Sequence, residues 1–292
     1  MNLISSRFFG VELESHPSIS LDQIANIIKK NSSREIIKTK WKQSVENDFW
    51  HVKTDSTCGG GYSKGWEVAS FKASGDKDLL EICNVSKALS VSGLKCGEDC
   101  GLHVHVDISD YSIEQASILL AYWIKIEKVV LGAVPFFRLK NKYCKLIEKK
   151  ILIKKHYWHP LDFWNCYGPK DFSIHNNKDK RVTMNLVNYA TYIQAPFLFN
   201  ARPTVEFRFP EGTFNYIDIK NWVILFVNFV ENIKFRKMPD NLYCVSNVES
   251  LTDILGLSDK NNKKWFFSRL LIYDKRKKWK KIAQNQIRYN HI

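Results

Sequence analysis

The chain has 292 residues, 45% hydrophobic and 25% charged, with 9 Trp, 12 Tyr and 18 Phe; so much apolar area excludes a disordered chain. A net charge of +14 predicts attraction to anions such as nucleotides, nucleic acid or acidic peptides, without choosing among them. The 7 cysteines form no framework and point to a reducing compartment, and the most apolar stretch, "NWVILFVNFV", is too short to span a bilayer and carries Asn221 and Asn228, so the sequence reads as soluble and cytoplasmic.

The opening "MNLISSRFFGVELESH" lacks an apolar signal core and runs into alternation. Gly10, Glu12 and Glu14 fall on one face and Phe9, Val11 and Leu13 on the other, which predicts a strand. "SLDQIANIIKK" predicts a helix opened by a Ser20–Gln23 capping box and carrying Ile24, Ile27 and Ile28. "FWHVKTDST" and "GWEVASF" read as two strands joined through the glycine turn Cys58–Gly61. A helix over "DKDLLEICNVSKALSVSG" closes at Gly93. "GLHVHVDIS" is a strand, and a second capping box, Ser112 to Gln115, opens the helix "SIEQASILLAYWIKIEKVVLG". Phe136 to Phe199 mixes short helices with loops, and its "HYWHP" reads as an aromatic packing corner. "RPTVEFRFPEGTF" returns to alternation, and "IDIKNWVILFVNFVENIKF" predicts a long buried helix. After Pro239 two helices are expected, "VESLTDILG" and a basic one in "KNNKKWFFSRLLIYDKRKKWKK". The basic helix reads as a solvated face with its apolar side docked; the sharper alternative is a polyanion-binding tail. Without a βαβ rhythm, the fold class is α+β with a largely antiparallel sheet.

Three strands share an ionisable side: Glu12 and Glu14; His103, His105 and Asp107; Glu206 and Arg208. A half-solvated face is the plain explanation, but it would favour Thr, Lys, Ser and Gln. Carboxylates and imidazoles are ligands of divalent cations. On neighbouring strands they would form one wall, where carboxylates raise one another's pKa unless cations neutralise them. Arg208 would supply a fixed positive charge for a phosphate. Glu67 in "WEV" and Asp55 in "KTDS" extend the set.

Taken in order, "FGVELE", "WHVKTDST", "GWEVAS", "CGLHVHVD" and "TVEFRFPEGTF" resemble the amidoligase family, related to glutamine synthetase and the glutamate–cysteine ligases. The resemblance runs from Arg7 to Phe235 with a poorly matched middle. It implies an ATP-dependent carboxylate–amine ligase that uses Mg²⁺ or Mn²⁺ and an acyl phosphate. It also implies a curved, largely antiparallel sheet of the glutamine synthetase catalytic type, with helices on its convex face. By this resemblance Glu14 and Glu67 hold one metal, and Glu12, His103 and Glu206 hold the one bridging the ATP phosphates. His105 touches nucleotide or phosphate, Arg208 stabilises the transferring phosphoryl group, and Arg181 and Arg202 are further phosphate ligands. Asp55 orients or deprotonates the amine. Residues 1–236 form the catalytic domain and 237–292 a basic helical extension packed on it. Expected partners are ATP, an amine and a carboxylate (amino acid, peptide or protein), with an acidic or polyanionic partner for the basic charge. One departure is Phe71 after Ser70 in "EVASFKAS", where the family pattern carries proline, which affects the substrate-side loop.

Other readings compete. Cys96, Cys100, His103 and His105 are all zinc-ligand types, but their spacing is not a common finger or ribbon and leaves the glutamates unexplained. A jelly-roll metal site fits poorly, because the acids after His105 are Asp107 and Asp110. A nucleic-acid-binding module without catalysis suits the charge but not the glutamate strands. Cys58 and Cys166 lack a local base for a thiol nucleophile.

Overall fold

The computed structural model describes residues 5–38, 48–59, 64–147, 159–169, 181–197 and 201–289. It forms two compact units, Met1–Val106 with Pro210–Ile224 and Asp107–Phe209 with Leu225–Ile292. Gly60 and Gly61 of the glycine turn, residues 156–158 of "HYWHP" and the Cys166 side chain lie outside the described residues.

In the first unit the chain runs β1 (Phe8–Ser15), α1 (Leu21–Asn31), β2 (Ile36–Lys38), β3 (Trp50–Asp55), β4 (Gly65–Ala69), β5 (Ala73–Ser74), α2 (Gly75–Val91) and β6 (Leu102–Asp107). The strands align as β2-β3-β4-β1-β6, with β5 on β1. Only β2–β3 is parallel; the pairs β1–β4, β1–β5, β1–β6 and β3–β4 are antiparallel. The period-two alternation sends Val11, Leu13, Val52, Val68, Leu102 and Val104 to one buried face. Helix α1 packs against α2 and β3, and Ile24 and Ile28 of α1 are buried with Leu79, Ile82, Val85 and Leu89 of α2. The Ser20–Gln23 capping box is present, and Ser92–Gly93 ends α2. Buried Trp50 meets Phe71 edge-on at 5.7 Å, and the Arg34 guanidinium lies 3.8 Å above the Phe71 ring.

In the second unit, α3 (Ile113–Val130) opens with its expected capping box. It is followed by α4 (Phe136–Leu139), α5 (Pro160–Tyr167), β7 (Met184–Asn185), α6 (Val187–Gln194) and β8 (Thr204–Phe207). Helix α7 (Tyr216–Ile233) gives Tyr216–Ile224 to the first unit and Leu225–Ile233 to the second. The second unit's core is aromatic. Phe207 stacks on Phe226 at 4.2 Å, and Trp123 meets Phe207, Phe209 and Phe229 at 5.2–5.7 Å. Buried Glu127 accepts from Ile147 N at 3.0 Å and from the Thr183 hydroxyl, and Thr183 in turn accepts from Trp123 Nε1 at 3.0 Å. Both bonds go to Oε1, and two donors on one oxygen offset part of the cost of burying this carboxylate.

After α8 (Val248–Leu255), the basic stretch forms two helices where one was expected, α9 (Lys260–Tyr273) and α10 (Lys277–Tyr289). Asp274 makes the break. Its buried carboxylate accepts from Arg276 N at 2.8 Å and Arg276 Nε at 2.9 Å, a local alternative to continued helix. Phe266, Phe267, Leu270, Trp279 and Ala283 are buried, so the apolar sides of both helices are docked. Among the described residues no helix is long and apolar enough to cross a membrane.

Candidate active site

Residues paired across antiparallel strands point to the same face, so register decides which side chains meet. Lys53 pairs with Glu67, and Glu67 with Glu14. His51 pairs with Ala69, Ala69 with Glu12, and Glu12 with His103. Gly10 pairs with His105, and Asp55 with Gly65. The face opposite the valine–leucine core therefore carries Glu12, Glu14, Glu67, His103, His105, Lys53, His51 and Asp55. These are the first-unit residues expected from the sequence, together with His51 and Lys53.

Each carboxylate on this wall is held by a different donor. Glu12 lies between the imidazoles, 3.1 Å from His103 Nδ1 and 3.2 Å from His105 Nε2. Glu14 accepts from Gly101 N at 2.6 Å through Oε2, while its Oε1 lies 3.6 Å from His103 Nε2. Glu67 Oε1 lies 2.7 Å from Lys53 Nζ. Glu14, Glu67 and His103 are buried, whereas Glu12 and His105 are half-buried.

The electrostatics follow from these neighbours. Burial pushes the Glu12 carboxyl up, but His105 and His103 outweigh it and hold the group well below the ordinary carboxylate range. Burial, then the Glu12 charge, pushes Glu67 up to about 7 against the pull of Lys53. Burial opposes the charge on Lys53, yet Glu67, Glu12 and Asp55 together raise its pKa. The wall thus holds one firmly ionised carboxylate beside one that ionises with difficulty.

Asp55 lies on the same face at the end of β3, but its Oδ1 accepts from Thr57 N at 2.6 Å and Thr57 Oγ1 at 2.7 Å, which shapes the turn. Asp107 caps the turn after β6 in the same way, accepting from Ser109 N at 2.9 Å and Ser109 Oγ at 2.6 Å. Glu206 and Arg208 belong to the second unit. There Glu206 Oε2 accepts from Asn185 Nδ2 at 2.7 Å, and its Oε1 pairs with Arg208. Strand β8 ends at Phe207, before Arg208. The backbone at Arg208 and Phe209 is held instead by buried Arg138, which donates to their carbonyls at 2.8 and 3.2 Å. Arg181 is exposed, with its guanidinium 5.3 Å from the Tyr143 ring centroid, and Arg202 is also exposed.

The four zinc-ligand types weighed from the sequence make other contacts. His103 and His105 turn to Glu12 and Glu14, whereas Cys96 Sγ lies 3.4 Å from the Glu14 carbonyl and Cys100 Sγ accepts from Gly97 N at 3.3 Å. Sequence reasoning missed His51, Lys53, Asn185 and Arg138. The alternation in "WHVKTD" carried the first two.

The family described as "putative amidoligase enzyme" matches residues 5–230 of the chain. No curated protein matches it.

Proposed function

The chain belongs to the amidoligase family, and we propose that it is an ATP-dependent carboxylate–amine ligase working on the polar face of β3, β4, β1 and β6. The observation behind this reading is that Glu12, Glu14, Glu67, His103 and His105 share one face. Oxygen donors with imidazole suit Mg²⁺ or Mn²⁺. The raised Glu67 carboxyl is the kind of group whose ionisation a cation favours. Glu14 and Glu67 would hold one ion, and Glu12 and His103 the other. When bound, such ions supply charge neutralisation for phosphoryl transfer.

In the proposed reaction the γ-phosphoryl group of ATP passes to the substrate carboxylate, giving an acyl phosphate and ADP. The amine then attacks the acyl carbon, phosphate leaves, and the amine loses a proton. His105 would donate to nucleotide or phosphate. Glu206 keeps the metal role, and Arg208 the phosphoryl role, that the family resemblance gives them; Arg181 and Arg202 remain phosphate candidates. Asp55 would orient the amine, provided its carboxylate can leave Thr57. The same reading includes a glutamine synthetase type of sheet, a catalytic part at 1–236 and a basic extension at 237–292. That extension suits an acidic or polyanionic partner.

The test is a nucleotide-release assay over a panel of acids and amines, with mass spectrometry of the products. ADP and a dehydrated acid–amine adduct are expected. AMP would overturn the acyl-phosphate step. Salt-dependent nucleic-acid binding without turnover would favour a binding protein instead.

A further inference from the structure

A second cluster of ligand-type side chains lies in the first unit, where the loops after β1 and β3 and before β6 end. His16 follows β1, Cys58 follows β3, and Asp99 and Cys100 precede β6. His16 Nε2 is 2.7 Å from Asp99 Oδ1, which is 3.8 Å from Cys100 Sγ. One ligand atom each from His16, Asp99 and Cys100 lies within 4.8 Å of the others. Cys58 Sγ lies 3.6 Å from the carbonyl of Ser15, the residue before His16, and Gly59 N donates to Asp99 Oδ2 at 2.9 Å, so the Cys58 turn borders the same cluster.

The backbone makes room for these side chains. A Cβ at Gly97 would lie 2.2 Å from the His16 ring, one at Gly65 2.5 Å from Cys58 Sγ, and one at Gly212 2.6 Å from Cys100 Cβ. The Gly97 Cβ would also lie 2.7 Å from Asp99 Oδ1, so three glycines leave space for all four groups. Cys58 and Cys100 are buried, while the His16 and Asp99 side chains are 33% and 34% exposed, which leaves an approach from solvent.

We propose that His16, Cys58, Asp99 and Cys100 form a zinc site, separate from the carboxylate wall and independent of the ligase reading. The donor set, two thiols with one imidazole and one carboxylate, selects zinc over magnesium. A tetrahedral zinc ion with bonds of about 2.0–2.3 Å separates its ligand atoms by roughly 3.3–3.8 Å. The Asp99–Cys100 separation already matches, and the His16–Asp99 pair opens by less than about 1 Å. Coordination releases the two thiol protons and ties three loops together. The next residue, Gly101, donates to Glu14 Oε2, so the ion would also steady the end of β1 that carries Glu14.

The reduced full-length chain is loaded with zinc, desalted and assayed for metal by mass spectrometry, and a parallel sample is titrated with Co²⁺. One zinc per chain is expected, with a Co²⁺ spectrum showing tetrahedral ligand-field bands and thiolate charge transfer. Cys100→Ser and His16→Ala should each weaken binding roughly tenfold or more. Cys244→Ser, at an exposed cysteine, should bind as the parent does. Should the variants misfold, the parent's Co²⁺ spectrum still decides. A parent that binds no more zinc than Cys100→Ser, or a Co²⁺ spectrum without thiolate bands, overturns the proposal. So does a reduced chain that takes up no zinc but forms a Cys58–Cys100 disulfide in air.

Discussion

Glu14 combines a structural bond with a proposed chemical role, and two substitutions separate them. Glu14 is only 6% exposed, and its carboxylate accepts from Gly101 N at 2.6 Å. Glu14→Ala removes the acceptor and leaves a buried amide unsatisfied, a cost of about 1–3 kcal/mol. In a chain of this size that lowers Tm by roughly 2 °C or more. Glu14→Gln keeps a carbonyl oxygen in the same place, so the bond survives as a neutral one. Its cost should stay below about 1 kcal/mol, because only the charge assistance is lost. Gln cannot supply the anionic ligand, so both variants should lose metal-dependent ADP formation. The assay pairs urea unfolding with ADP release. Full turnover in Glu14→Gln would remove Glu14 from the site, and an Ala variant as stable as the Gln variant would refute the assigned bond.

Other outcomes follow from the same geometry. Arg208→Lys should abolish turnover while leaving the melting curve close to the parent's, because a point charge cannot replace the planar fork; an active Lys variant counts against Arg208. Phe207→Ala should destabilise the second unit by about 3–5 kcal/mol in urea unfolding, since Phe207 is fully buried and stacked on Phe226. The Arg236 guanidinium, hydrogen-bonded to Asp253, holds that carboxyl below its ordinary value. The sign follows: the pair stabilises the chain above the ordinary Asp range, and the gain is lost as pH falls through the depressed value. Asp253 is mostly exposed, so the effect should be small and salt-sensitive. Asp253→Asn should therefore unfold more easily than the parent near neutral pH and equally easily in strong acid; an equal gap at both pH values would refute the pair. Asp274→Ala should cost about 1–2 kcal/mol through loss of the cap between α9 and α10, measured by urea unfolding.

Local pattern carried the ionisable faces. "GVELE" and "LHVHVD" alternate so plainly that their faces, and the opposing core of Val11, Leu13, Leu102 and Val104, are legible in the sequence alone. Lys53 and His51 were not read as site residues, although "WHVKTD" alternates just as well. What places Lys53 beside Glu67, and His51 in line with Glu12 across Ala69, is the register of β3 on β4 and of β4 on β1. Register is a long-range property that local pattern does not fix. The same holds for His16 and Asp99, paired across 83 positions. Asn185 and Arg138 come from the middle region, whose short elements show no period to follow. The break at Asp274 had a local signal, an Asp two residues before Arg276, but the apolar and basic rhythm on both sides read as one helix.

The central claim is that the polar face of β3, β4, β1 and β6 binds divalent cations through its carboxylates. Mn²⁺ binding, followed by electron paramagnetic resonance on the parent and on Glu12→Gln, tests it most directly. Glu12 lies 3.1 Å from His103 and 3.2 Å from His105 on that face, so its carboxylate is the ligand to remove. The account predicts Mn²⁺ binding by the parent, weakened roughly tenfold or more in Glu12→Gln while the fold is kept. Equal Mn²⁺ affinity in the two proteins, or no binding by the parent, would contradict it.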